Sequence, residues 1–240
     1  MKAMILAAGV GSRLRPLTNE TPKALIDVGG TPMIEHVIRR LKSVGVTEVV
    51  VNLFHLGDRI VDFLASKGNF GLRVECTREV ELLDTGGGLK NAARFFDDGQ
   101  PFFLHNVDIL SEIDLRTIHQ FHREAGALAT LAVQSRPSSR LLLFDQEGRL
   151  CGRETRDGVQ WAKAPVPGAE RLAFTGIHVI DPAVFSRMTE TGSFPITQTY
   201  LRLAGEGAQI GACRVDGSYW QDIGSAEKLE QARRRFAGSA

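Results

Sequence analysis

The feature that most constrains this chain is an alternation. In the first half, short apolar runs bounded by Gly, Pro or Asp are separated by single segments of helical period. The runs are Ala3–Ala7, Val46–Phe54, Leu72–Thr77 and Pro101–Ile109. Each is 5–9 residues long with such boundaries, the profile of buried strands in a parallel sheet. Between them, Pro32–Ser43 places Ile34, Val37, Ile38 and Leu41 on one helical face. Thr31 is the expected N-cap there, with Pro32 at the first helical position and Gly45 past the end. Ile60, Val61 and Leu64 mark a second helix, and Asp114–Ala125 a third. Strands joined through single helices imply βαβ units, right-handed crossovers and an α/β fold with a doubly wound, mostly parallel sheet.

The second half is less regular. Ala127–Gln134 and Arg171–Asp181 read as strands, and Leu141–Phe144 with Arg149–Arg153 as a hairpin. Val159–Glu170, with two prolines and a glycine, reads as a loop. Helices return at Ile196–Ala204 and Ser225–Phe236. The expected layout is one domain over residues 1–240, with a nucleotide-binding half (1–125), a second half (126–240) and a substrate-side insertion in its middle third. At 43% apolar and 24% charged residues, the chain has the composition of a globular domain with a sizeable core. A net charge of +1 gives no electrostatic footprint for nucleic acid or an anionic membrane. No apolar run is long enough to cross a bilayer, and the N-terminal apolar run is too short for a signal peptide. Cys76, Cys151 and Cys213 form no CxxC pair, so neither a disulfide framework nor a zinc site is indicated, and a reducing cytoplasm is expected.

The chemistry begins directly after the first strand. Leu6, Ala7, Ala8, Gly9 and Gly11 form a turn of small residues whose backbone N–H groups are open to a ligand. Arg13 and Arg15 follow at once, and guanidinium groups bind phosphate oxygens bidentately. The third glycine of a dinucleotide fingerprint is missing, since Leu14 stands there, and no GK[ST] follows for a Walker A loop. Taken alone, the turn is equally compatible with a tight bend carrying two surface arginines. Two acids add to the pattern. Asn106 and Asp108 end the apolar run PFFLHNVDI, where ligands of doubly wound sheets bind. Asp222 lies in YWQDIGS, with Ser225 placed to cap the terminal helix. Two aspartates with no histidine beside them suit Mg²⁺ better than zinc. The alternatives are a turn-capping Asp and a loop acid. A third motif, Asp84–Leu89 (DTGGGL), puts glycines at the start of a helix over Leu89–Phe95, where free N–H groups invite an anion or base. His119 and His122 read as solvated helix surface.

The stretch LAAGVGSRLRPLTNETPKALIDVGGTPMIEHVI closely resembles the N-terminal signature of the sugar-1-phosphate nucleotidylyltransferases. WQDIGS resembles that family's C-terminal W-x-D-[IV]-G-[ST], and FTGIH its strand facing the sugar. The resemblance covers roughly 1–125 and 174–236. It implies a Rossmann-like nucleotidyltransferase fold and conversion of an NTP and a sugar 1-phosphate into an NDP-sugar and pyrophosphate. It further implies catalytic roles for Arg13 and Lys23 at the triphosphate, and nucleotide contacts from Leu6, Ala7, Ala8, Gly9, Gly11, Thr85, Gly87 and Asn106. Asp108 and Asp222 become ligands of a Mg²⁺ cofactor, and Thr175 and Gly176 face the sugar. Val107 stands where relatives carry Gly, and the E-K-P stretch of the thymidylyltransferases is absent. Lys163, Arg140 and Arg153 are the candidate cations for the acceptor by charge and region. The DTGGG form is similar to that of the N-acetylmuramate-1-phosphate uridylyltransferases, which makes UTP with N-acetylmuramate 1-phosphate the first expectation. Mannose-1-phosphate guanylyltransferase is the second and a phosphocholine cytidylyltransferase the third. A non-catalytic sugar-nucleotide sensor is the alternative of another class, one that need not keep both aspartates.

Overall fold

The computed structural model describes residues 1–237. Four parallel strands form the first half of the central sheet, in the order Phe102–Asn106, Lys2–Leu6, Glu48–Leu53 and Arg73–Arg78. Val49, Val50 and Val51 are fully buried, because helices cover both faces. On one side Met33–Ser43 and Leu115–Ala125 bury Ile34, Val37, Ile38, Leu41 and Ile118. The carboxyl ends of these strands all open to the same edge, the place where such sheets bind ligands.

Beyond Phe102–Asn106 the sheet changes character. Glu170–Ile180 runs antiparallel to it and carries the sheet onward to Leu141–Phe144, Leu150–Thr155 and Gly158–Trp161. This long strand divides its partners. Ile177–Ile180 pairs with Phe102–His105, whereas Glu170–Ala173 pairs with Leu141–Phe144. The break falls at Thr175–Gly176, where the register against Ala129–Gln134 also shifts. Gly176 has φ of 81°, and a Cβ there would lie 2.7 Å from the Asn106 amide nitrogen. Only glycine allows this bend while Asn106 presses against it. The α/β class and the parallel core are as the alternation predicts, and an antiparallel extension is joined to that core.

Four local expectations are corrected. Pro101–Ile109 is two elements, Phe102–Asn106 and Ile109–Ser111, separated at Val107–Asp108. Val107 donates its N–H to Leu6 O (3.1 Å), after which the chain leaves the main sheet to pair with Trp220–Asp222. Val107 is buried and has no positive φ, so the missing glycine costs nothing there. Second, Thr31 and Pro32 pair with Asp27–Val28, and Pro32 itself caps the helix Met33–Ser43. Third, Val159–Glu170 opens with a strand residue run, Gly158–Trp161, because Gly158 closes a hairpin onto Leu150–Thr155. Fourth, His122 is buried, its Nδ1 3.0 Å from Thr130 Oγ1, with burial lowering its pKa to about 4. His119 is partly covered by the Phe103 ring.

Candidate active site

The turn after the first strand is held from below. Asn52, at the end of the neighbouring strand, accepts the Ala7 N–H on Oδ1 at 2.7 Å. Its Nδ2 donates to Glu79 Oε1 at 2.7 Å, and Glu79 Oε2 accepts the Leu83 N–H at 3.0 Å. Both side chains are buried, so this network fixes three strand ends relative to one another. Above it the backbone is free. A Cβ on Gly9 would meet nothing within 4 Å, so its surface faces the cleft. Gly11 (φ 67°) turns the chain into the short helix Ser12–Leu14, and its carbonyl accepts the Thr18 hydroxyl at 2.9 Å. Leu6, Ala7, Ala8, Gly9 and Gly11 therefore line one continuous edge at the carboxyl ends of the strands, with Asn106 at the end of the adjacent strand.

The two aspartates converge through a small sheet of their own. Trp220–Asp222 pairs antiparallel with Ile109–Ser111, placing Asp222 opposite Ile109. Ile223 N–H donates to Asp108 O at 3.0 Å, which locks Asp108 beside it. Lys23 forms an ion pair with Asp108, and Lys228 one with Asp222. Burial raises the Asp222 pKa, but the Lys228 ammonium and the Gly224 N–H outweigh it and hold the carboxyl below its ordinary value. The charge of Lys23 acts in the same direction on Asp222, so one lysine serves both acids. Arg13 completes the cluster. A Cβ on Gly224 would lie 2.8 Å from Arg13 Nη2 and 2.6 Å from Asp222 Oδ1, so the glycine lets the guanidinium approach the carboxylate.

Arg13, Lys23, Asp108 and Asp222 are thus brought together as the motifs imply. Among the described residues no three or more His, Cys, Asp or Glu are grouped so that they could hold a metal ion by themselves. A cation held here would rest on two carboxylates and on oxygens of the substrates, the donor set that Mg²⁺ favours. Ionised carboxylates with no imidazole or thiolate beside them fit that ion.

Thr175 and Gly176 sit at the split in the sheet, against Trp220 and Asn106. Trp220 Nε1 donates to Thr175 O at 2.8 Å, while Gly176 lies against Asn106. The DTGGG segment departs from expectation. It forms the first five residues of the helix Asp84–Asn91, which begins before the glycines and ends at Asn91, not at Phe95. The N–H groups of Gly86 and Gly87 both reach Phe194 O, at 2.9 and 3.3 Å, and Thr85 Oγ1 accepts from Ile196 N at 2.9 Å. A Cβ on Gly87 would fall 2.5 Å from Gly192 O. These glycines let a helix of the first half dock tightly on the second, and their N–H groups do not stand free for an anion. The three candidate acceptor cations also lie elsewhere. Arg153 donates to Gln160 across the hairpin, Lys163 lines a separate hollow with Asp145 and Gln209, and Arg140 is exposed. None contacts either aspartate.

Sequence reasoning passed over four residues of this region. Asn52 carried a faint signal as a polar end to a β-branched strand. Glu79 carried none. Lys228 looks like an ordinary first-turn residue of the terminal helix. Arg136 sits in a Pro/Ser-containing loop and reaches the cleft only because Trp220 is there to stack on, with its guanidinium 3.5 Å from the indole centroid.

Comparison with known proteins identifies the family. The nucleotidyl transferase family model matches residues 2–238. A probable mannose-1-phosphate guanylyltransferase of Oryza sativa subsp. japonica is 33% identical over 229 residues, which is 93% of this chain and 61% of that protein. An N-acetylmuramate alpha-1-phosphate uridylyltransferase of Neisseria meningitidis serogroup B is 33% identical over 244 residues, 97% of each chain. Among solved structures, a putative glucose-1-phosphate thymidylyltransferase from Bacillus anthracis superposes with a TM-score of 0.82 at 25% identity, covering 99% of this chain and 96% of that one. The chain therefore belongs to the nucleotidyl transferase family, while spanning about 61% of the length of the rice guanylyltransferase.

Proposed function

We propose that this member of the nucleotidyl transferase family converts an NTP and a sugar 1-phosphate into an NDP-sugar and pyrophosphate. The observation that carries the reading is the convergence of Asp108 and Asp222, from opposite ends of the chain, beside Arg13 and Lys23 at the mouth of the glycine turn. Such a cluster matches what transfer at phosphorus requires: positioned cations and little covalent help.

In this reading the backbone from Leu6 to Gly11 and Asn106 receive the nucleotide, and the helix bearing Thr85 and Gly87 forms the wall behind the base. Gly176 faces the sugar, and Thr175 beside it offers backbone alone, since its buried hydroxyl donates to Ala132 O at 2.8 Å. The acceptor's phosphate oxygen attacks the α-phosphorus in line, and the bond to the pyrophosphate oxygen breaks, so no enzyme nucleophile is needed. Arg13 and Lys23 offset charge that builds on the triphosphate. Asp108 and Asp222 would hold Mg²⁺, which when bound orients and neutralises phosphate oxygens. For that, Lys23 and Lys228 exchange their carboxylate partners for phosphate. The fold divides into a nucleotide half at 1–125 and an acceptor half at 126–240. The reaction belongs in the cytoplasm, where the NTP pool lies and free cysteines such as Cys76 stay reduced.

The preferred pair is UTP with N-acetylmuramate 1-phosphate. It is supported by the DTGGG segment and by a uridylyltransferase relative matched along 97% of both chains. GTP with mannose 1-phosphate is the second reading, supported by guanylyltransferases of equal identity. Competition kinetics separate them: kcat/KM for the uridylyl pair should exceed that for the guanylyl pair, and the reverse ranking would overturn the substrate assignment alone.

A further inference from the structure

Arg136 is the cation of the cleft that the proposed chemistry leaves unused. It projects from the loop after Ala129–Gln134 and lies over Trp220, 3.5 Å from the ring centroid. Trp220 and Asp222 are two apart on one short strand, so their side chains share a face. The guanidinium therefore stands near the Asp222 carboxylate; burial lowers its pKa, and the Asp222 charge opposes this only in part. Nη2 donates to Phe174 O at 3.1 Å, next to Thr175 and Gly176. Nε is buried without any partner, and Arg136 makes no ion pair among the described residues. A half-buried guanidinium with an unused donor and no carboxylate in contact is costly unless an anion completes it. The indole fixes its plane, and a planar fork held in place is suited to a bidentate oxyanion.

We propose that Arg136 is an acceptor-binding residue, its guanidinium holding an oxyanion of the incoming sugar 1-phosphate. The inference rests on the reaction proposed above and gives the acceptor the cation that Lys163, Arg140 and Arg153 do not supply. Two groups on such a substrate share the required chemistry: the phosphate that all acceptors carry, and a carboxylate substituent on the sugar.

The test uses the stacked indole as a reporter. The chain has two tryptophans, so a Trp161→Phe background leaves Trp220 alone. Its fluorescence is titrated with N-acetylglucosamine 1-phosphate and with N-acetylmuramate 1-phosphate, which adds a carboxylate. The same titrations follow in Arg136→Gln and Arg136→Lys, with thermal unfolding as the control for folding and the KM for NTP as the control for the other substrate. Loss of a charge-assisted pair should weaken acceptor binding on the order of tenfold or more, with NTP KM unchanged. Weakening toward both probes identifies the phosphate, and weakening toward the carboxylated probe alone identifies the carboxylate; either result supports the proposal. Arg136→Lys keeps the charge but not the fork, and carries the test if Arg136→Gln does not fold. Wild-type affinity for both probes in whichever variant folds overturns the proposal, as does wild-type protein that binds neither probe. Binding without pyrophosphate release would instead sink the reaction and leave the Arg136 contact standing.

Discussion

The two halves of this molecule build their share of the site by different means. In the first, the ligand edge is local: one strand runs straight into the Leu6–Gly11 turn, and Lys23 follows within the same stretch. Its scaffold is a parallel sheet buried on both faces, with the Asn52–Glu79 network underneath. In the second, nothing is local. Asp222 arrives by pairing with Ile109, Thr175 is fixed by Trp220 across 45 residues, and Arg136 reaches Phe174 across 38. The first half adds Arg13, Lys23 and Asp108 to its backbone donors, and the second brings Asp222 and Arg136 to them by pairing distant in sequence.

The sharpest way to break that comparison is to remove one acid from each side. Asp108→Ala and Asp222→Ala should each cut turnover by about a thousandfold, since a metal contact is worth several kcal/mol in the transition state. Because both acids lie at an open cleft, thermal unfolding should shift little. If only one variant loses activity, the two halves do not share a single cation.

The seam between the halves gives a smaller effect. His105, on the last parallel strand, and His178, on the first antiparallel one, are both fully buried. Burial depresses the His105 pKa to about 4. Burial and then the charge of His105 depress that of His178 to about 3. His105 Nδ1 donates to Asn106 O at 2.8 Å, and His178 Nδ1 lies 2.8 Å from the Tyr200 hydroxyl. Folded-state values lie below the ordinary 6.5, so the unfolded chain takes up protons that the folded chain refuses. Stability is complete above about pH 6.5 and falls as pH drops toward 4, by up to about 1.4 kcal/mol per pH unit for each histidine. Urea unfolding from about pH 7 to pH 5 reads the slope. His178→Phe should flatten it, and an unchanged slope would place the acid lability elsewhere.

Two glycines give the finest contrast. Gly87→Val drives a side chain into Gly192 O and the Leu83 side chain, and should cost about 1–3 kcal/mol, a fall of roughly 2–4 °C in Tm for each. Gly9→Ala meets nothing within 4 Å, so Tm should hold while NTP affinity drops roughly tenfold as backbone approach is blocked. Calorimetry on both variants checks the pair; equal Tm losses would erase the distinction between a packing glycine and a ligand-facing one.

How much of this could be read beforehand follows the same division. The parallel strands, the helix Met33–Ser43 and the Leu6–Gly11 turn are legible because periodicity and turn chemistry act over neighbouring residues. Arg13, Lys23, Asp108 and Asp222 were visible as motifs, but their meeting depends on a two-strand sheet that Pro101–Ile109, taken as one strand, conceals. The DTGGG glycines show how one signal serves two purposes: a glycine row reads as an anion cradle until Phe194 O is seen to occupy its N–H groups. His122 looked solvated because its helix is mostly polar, and only the Thr130 contact from the next strand reveals a buried position. Glu79 and Arg136 owe their importance to partners far away in the chain, and composition or spacing has no access to those.

The central claim is that one cleft, assembled from both halves, joins an NTP to a sugar 1-phosphate. Pyrophosphate release tests it most directly, measured with each NTP alone, each sugar 1-phosphate alone and every pair, in the presence of Mg²⁺. The account predicts release only when both substrates are present, fastest with UTP and N-acetylmuramate 1-phosphate, and reduced by about a thousandfold in Asp222→Ala. Release from an NTP without any acceptor, or none with any pair, would contradict it.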